Sequence, residues 1–260
     1  MATDMCALAR VVAKETRYAG LGQSLRAAAD SAEGSGILAR LRILGRAVSA
    51  AVRQFDGPMF NTIARHRSDV VRQWAAYAVN DPHQSMTLQE RLTLTLPFAA
   101  DHHMSVRECA WMAFRPYLIR SLETGLRLLE PATRSLNPNV RRFAIEVTRP
   151  RSVWGAHIGD LKRKPEKAIA LLKNVREDES RYVRLAAGNW LNDASKTRPD
   201  WVIEVCQNWS LSQNKRTRAI VRRGLRTLTR GRAALQETAT EPGLIRVYNL
   251  KPVGPGGATC

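Results

Sequence analysis

The sequence predicts an all-α fold: a solenoid of helical repeats. Three observations lead there: a short motif that returns at a near-constant interval, apolar residues at helical spacing with no sustained period-two run, and a large excess of positive charge. The stretches DVVRQWAAYAV (69–79), MSVRECAWMAF (104–114), PNVRRFAIEV (138–147) and RYVRLAAGNWL (181–191) share a Val-Arg pair with alanine three residues after the arginine. The register is Val71-Arg72-Ala75, Val106-Arg107-Ala110, Val140-Arg141-Ala144 and Val183-Arg184-Ala187. KRTRAIVRRGL continues it with Thr217-Arg218 and with Val221 in the alanine place. Successive pairs lie 35, 34, 43 and 34 residues apart. A period of roughly 34 to 47 residues built from helices alone is that of stacked helix pairs of the HEAT or armadillo type.

Each position in the motif has a physical task. Small alanines let a second layer of helices pack closely, Val and Leu at helical spacing form the buried stripe, and the arginine sits in the first turn. Ser68-Asp69, Ser105, Asn137-Pro138 and Ser180 are helix-start signals just ahead of the repeats. Between the repeats, LQERLTLTLPFAA (88–100) and PEKAIALLKNVRE (165–177) read as partner helices, the latter opened by Pro165. The expectation is an all-α chain of roughly ten to twelve helices. Residues 1–57 are helical by pattern but lack the Val-Arg repeat and read as an N-terminal cap. The solenoid proper is expected over 58–235, and the Pro- and Gly-rich end, 236–260, reads as a flexible tail.

Composition narrows the partner. With 41 Lys+Arg against 23 Asp+Glu, the formal net charge is +18, and a polyanion suits such a surface, nucleic acid ahead of an anionic membrane. KRTRAIVRRGLRTLTRGR (215–232) contains no acid. In stacked repeats Arg72, Arg107, Arg141, Arg184 and Arg218 would form a ladder along one face. A concave face of that kind is a groove for a phosphate backbone; the plainer alternative is that each arginine closes an ion pair with the next repeat.

Other classes find little support. No apolar run approaches the ~20 residues of a membrane span, and the start, MATDMCALARVVAKETRYAG, mixes charges into its apolar residues, so the expected compartment is the cytoplasm. Cys6, Cys109, Cys206 and Cys260 are scattered, with no CxxC pair. The histidine pair in DHHMS lacks zinc-ligand spacing, so no metal site is expected.

Residues 137–209 resemble a known family. The stretch from Asn137 to Trp154 carries an NPxVRR…E…RPR…W signature, Tyr182 to Pro199 carries YVR…N…LND…K…P, and FRPYL (114–118) precedes both. Together they are similar to the DNA alkylation repair glycosylases, the AlkC branch of the AlkC/AlkD HEAT-like repeat superfamily. The resemblance implies a HEAT-like solenoid with a basic concave face that excises cationic N-alkylated bases from double-stranded DNA. The implied lesions are 3-methyladenine and, in this branch, 3-methylcytosine. It also implies a protein that uses no metal or other cofactor and does not flip the base into a deep pocket, and a monomer is expected.

Carried onto matching positions, the resemblance places the catalytic residues at Glu146, Trp154 and Asp193 and DNA contacts at Arg142 and Arg149. Arg151, Arg184, Arg218 and Lys196 are further expected DNA contacts, and Trp111, Glu108, Trp190 and Asn189 are expected to line the site. The chemistry agrees with such a set. An N-alkylated base is already a cationic leaving group, so what needs stabilising is an oxocarbenium-like sugar, which a carboxylate does electrostatically while orienting water. An aromatic face such as Trp154 steadies the same charge. Structural alternatives stand beside each: Asp193 ending its helix, Glu146 pairing with Arg142, Trp154 as core. One departure is notable: where this branch carries a glutamate before the RPF-like segment, this chain has Trp111, with Glu108 three residues earlier. The competing readings are a non-catalytic HEAT-like protein that binds damaged or branched DNA and a scaffold for an acidic protein.

Overall fold

The computed structural model describes residues 4–52 and 54–230. The tail expected at 236–260 lies outside the described residues. The helices are α1 (Met5–Thr16), α2 (Ala19–Ser31), α3 (Ile37–Ala51), α4 (Pro58–Ala64), α5 (Asp69–Ala78), α6 (Leu88–Ala99) and α7 (Met104–Arg120). They continue with α8 (Leu122–Leu129), α9 (Pro138–Glu146), α10 (Gly159–Arg163), α11 (Ile169–Asn174), α12 (Arg181–Ala194), α13 (Pro199–Ser210) and α14 (Lys215–Gly224). Two short 3₁₀ turns, Pro131–Arg134 and Pro165–Ala168, join them, and no strand occurs among the described residues. No helix among them is long and apolar enough to cross a membrane.

The helices are more numerous and shorter than the sequence pattern predicts. The partner helix expected over 165–177 is a 3₁₀ turn followed by α11, because Ala168 (φ −101°, ψ 7°) departs from helical geometry at the junction.

The repeat motif builds one continuous row. Helix α3 packs on α5, α5 on α7, α7 on α9, α9 on α12 and α12 on α14, with partner helices such as α6 and α13 forming the second layer. Val71, Val106 and Val183 are fully buried, as are Ala75, Ala110, Ala144 and Ala187, the stripe and the small-residue seam the motif requires. Two glycines allow close approach between neighbouring helices of the row. A Cβ on Gly45 would stand 2.5 Å from the Cβ of Tyr77, and one on Gly188 would stand 2.7 Å from the Cβ of Arg223.

The recurring arginine clamps the loop that precedes its own helix. Arg72 Nη1 donates to the carbonyls of His66 and Arg67, Arg107 to those of Asp101 and His102, Arg141 to those of Ser135 and Leu136, and Arg184 to those of Asp178 and Glu179. Arg218 donates to the carbonyl of Gln213. Two repeats add a link to the next one: Arg72 pairs with both oxygens of Asp101, and Arg141 with both oxygens of Asp178. Those acids also accept the backbone N–H of His103 and Ser180, at the N-caps of α7 and α12. Helix α7 is thus capped at His103, under Asp101, two residues ahead of the start signal read at Ser105. A row of uncommitted guanidiniums, as a phosphate ladder requires, is therefore not what the motif builds. Arg72 and Arg141 are buried and paired, and Arg184 and Arg218, expected to bind DNA, hold their own loops.

Candidate active site

Three helices, α7, α9 and α12, and the segments that follow α9 and α12 converge on a chain of alternating charges. Glu146 is the last residue of α9 and Asp193 the penultimate residue of α12, and the two helices lie side by side in the row. Arg149 follows α9 and joins them: its Nη1 donates to Glu146 Oε1 at 2.6 Å and its Nε to Asp193 Oδ2 at 2.7 Å. Lys196 Nζ stands 3.8 Å from the other oxygen of Asp193. On the far side Arg142 Nη2 lies 3.5 Å from Glu146 Oε2, and its Nη1 lies 2.7 Å from Glu108 Oε1. Glu108 in turn accepts the Trp111 indole N–H at 2.7 Å. One path thus runs Trp111, Glu108, Arg142, Glu146, Arg149, Asp193, Lys196 across three successive repeats.

Burial makes this network more than a surface patch. Glu146 is 6% and Asp193 4% exposed, and each lies against a guanidinium, as buried carboxylates require. Burial pulls the Arg149 guanidinium down, and Glu146 and Asp193 more than offset this, leaving its pKa above the ordinary arginine value. The Glu108 side chain is the most accessible of the three acids, at 27%. Arg142 also lies over the Tyr182 ring, 4.5 Å from its centroid.

The loop carrying Arg149 is held by a residue sequence reasoning passed over. Arg115, inside α7 and 1% exposed, donates to three backbone carbonyls: Val147 at 2.6 Å, Arg149 at 2.7 Å and Ala156 at 2.8 Å. Burial and the neighbouring Arg149 charge push its pKa down to about 10, against the pull of Glu146 and Asp193. Arg115 stands within the quoted FRPYL segment. The only signal for its task was an arginine at a core position of the helical pattern. The same loop displays Trp154, 61% exposed, whose ring makes no hydrogen-bonded or stacked contact with the acids. Arg151 on this loop is half-buried, with its Nε unpartnered.

Of the expected site-lining residues, Trp190 stands apart from the network and Trp111 touches it by one contact. Trp190 is fully buried: its N–H reaches the Thr148 carbonyl at 3.0 Å and its ring packs edge-on against Trp201, so it is core. Trp111 is 2% exposed and meets the network only through its N–H. Asn189, also named in the sequence, uses its amide oxygen to hold Arg223 Nε and Arg226 Nη1, both at 2.8 Å, close to Asp193. Among the described residues, no three His, Cys, Asp or Glu side chains group as metal ligands.

Fold and site together define a helical-repeat protein that gathers acids and arginines from adjacent repeats into one network. The family model described as DNA alkylation repair enzyme matches residues 67–228, and the chain belongs to that family. In fold it is similar to the Pseudomonas fluorescens alkylpurine DNA glycosylase AlkC bound to DNA containing an abasic site analogue. That match has a TM-score of 0.68 at 22% identity and covers 86% of this chain and 61% of that one. AlkD2 from Streptococcus mutans superposes with a TM-score of 0.53 at 21% identity over 83% of this chain and 96% of its own. In sequence the chain is 37% identical over 116 residues to YhaZ of Bacillus subtilis, covering 45% of this chain and 32% of that protein. The chain thus spans less than two thirds of both AlkC and YhaZ.

Proposed function

We propose that this protein is a DNA N-glycosylase that excises cationic N-alkylated bases, 3-methyladenine and 3-methylcytosine, from duplex DNA without deep base flipping. The observation that carries the reading is the bridge Glu146–Arg149–Asp193, two buried carboxylates from neighbouring repeats held by one arginine. In the free protein the arginine neutralises both acids. A backbone phosphate entering beside Arg149 competes for its guanidinium, and the carboxylate charge so released faces the sugar. Asp193 then stabilises the oxocarbenium-like sugar and orients water, Glu146 supports it, and Trp154 offers its exposed ring to the deoxyribose. The leaving base carries its own positive charge, so the step requires neither metal nor other cofactor.

Arg142, Arg149, Arg151 and Lys196 serve the phosphates, in a protein that acts as a monomer in the cytoplasm. The second reading, a helical-repeat protein that binds damaged DNA without chemistry, rests on one observation: both central acids are saturated by arginine and nearly closed to solvent. Incubating the protein with methylated duplex DNA and resolving free bases by chromatography separates the two. Release of 3-methyladenine above the spontaneous rate supports the glycosylase, and release at that rate supports the second reading.

A further inference from the structure

A second basic feature lies outside this network, in the half of the chain where the sequence showed least. Between α3, α5 and α7 a cavity of about 300 Å³ is lined by Arg42, Arg46, Tyr77, Asn80, Tyr117 and Arg120, with Met112 and Pro116 supplying apolar wall. Arg42, Arg46 and Arg120 are exposed and have no acid partner among the described residues. This separates them from the repeat arginines, which are spent on loops and on acids. Arg120 lies over the Tyr117 ring, 4.6 Å from its centroid, and Arg91 lies over the same ring at 3.9 Å.

Beneath them the floor is polar and incompletely satisfied. Asn80 Oδ1 is buried without a hydrogen-bond partner, and the Tyr77 hydroxyl lies beside the Arg42 guanidinium and the Cys109 thiol without a well-formed hydrogen bond; both residues are at least nine-tenths buried. Such groups cost about 1–3 kcal/mol each when left unmade. The one acid at the rim, Asp81, is turned to His83, whose backbone N–H and Nδ1 both meet its Oδ1. Three guanidiniums without an acid partner around a cavity of this size, above a hydroxyl able to donate, select an anion with several oxygens. Asn80 Oδ1 only accepts, so it faces water or a donor group of the ligand rather than a phosphate oxygen.

We propose that this cavity is a phosphate-binding site. Its occupant, on the glycosylase reading on which this choice of source rests, is a backbone phosphodiester of a DNA strand leaving the Glu146–Asp193 network along α7. Helix α7 supplies both places: Glu108, Trp111 and Arg115 to the network, and Met112, Pro116 and Arg120 to the cavity. A free phosphate ester offers the same oxygens, and the test separates the two sources.

The test uses the full chain and a triple variant, Arg42→Gln/Arg46→Gln/Arg120→Gln, with a charge-matched control, Arg10→Gln/Arg26→Gln/Arg127→Gln, on exposed arginines elsewhere. Thermal unfolding first establishes that both variants are folded. Duplex affinity is then measured by fluorescence anisotropy from low to moderate salt, and inorganic phosphate is titrated calorimetrically into each protein. The expected result is a loss of about tenfold in duplex affinity and a fall of about one in the slope of log K against log salt for the cavity variant only. Phosphate heat in the wild type that vanishes in the cavity variant, with DNA binding unchanged, retains the site and assigns it to a free phosphate. Equal losses in the control, or no difference in either titration, overturn the proposal. A slope change between the wild type and the cavity variant, with no base release by the wild type, defeats the glycosylase reading and leaves this one standing.

Discussion

The buried guanidinium of Arg115 donates to the backbone carbonyl of Arg149 at 2.7 Å, 34 positions further along the chain. With its bonds to Val147 and Ala156 it fixes both ends of the loop that presents Arg149 to Glu146 and Asp193. The position of the network therefore depends on a residue that touches none of its acids.

Arg115→Lys should show that dependence. A lysine places one compact ammonium where a planar fork held three carbonyls, leaving buried acceptors unmade at about 1–3 kcal/mol each. Urea unfolding should report a loss of about 2–5 kcal/mol, with base release falling well beyond what the folded fraction explains. A variant as stable and as active as the wild type would contradict the clamp.

Trp190→Phe separates core from site. The substitution removes the N–H that meets the Thr148 carbonyl and should cost about 1–3 kcal/mol in denaturant unfolding. Base release at a temperature where the variant is folded should be unchanged; its loss there would return Trp190 to the site.

Trp111→Phe removes the donor that orients Glu108 toward Arg142. Base release should fall about tenfold while duplex affinity holds, since a charge-assisted hydrogen bond is lost without any loss of positive charge. Unchanged release would make the Trp111–Glu108 contact packing alone.

Asp101 ties two repeats and should set part of the acid response. Burial pushes its carboxyl up, but hydrogen bonds from Arg72 and the His103 N–H outweigh this and hold the pKa below the ordinary aspartate value. Its stabilisation is therefore full above the unfolded value of about 3.9 and is lost as pH falls through the lower, folded value. Asp101→Asn should be less stable at neutral pH and flatter in stability below about pH 4, followed by chemical denaturation. An acid limb parallel to that of the wild type would show that Asp101 carries none of it.

The repeat was legible because its residues act locally: Val71, Ala75 and their equivalents declare burial by spacing alone. The arginine beside them was legible in position but not in task. Whether a first-turn guanidinium meets a phosphate or its own loop depends on where the preceding carbonyls turn, as Arg184 shows with Asp178 and Glu179. Glu146, Arg149 and Asp193 were named through resemblance; Glu146 and Arg149 are three positions apart, whereas the contact of Arg149 with Asp193 spans 44 positions and no spacing rule encodes it. Arg115 was missed because a buried arginine satisfied by main-chain carbonyls leaves no partner residue in the sequence to find.

The central claim is that Asp193, brought beside Glu146 by Arg149, carries the chemistry. Its most direct test is single-turnover release of 3-methyladenine from methylated duplex DNA by the wild type and by Asp193→Asn, with duplex affinity measured in parallel. The predicted result is release by the wild type, none above the spontaneous rate by the variant, and affinity unchanged or higher in the variant. Equal release by the two proteins would contradict it.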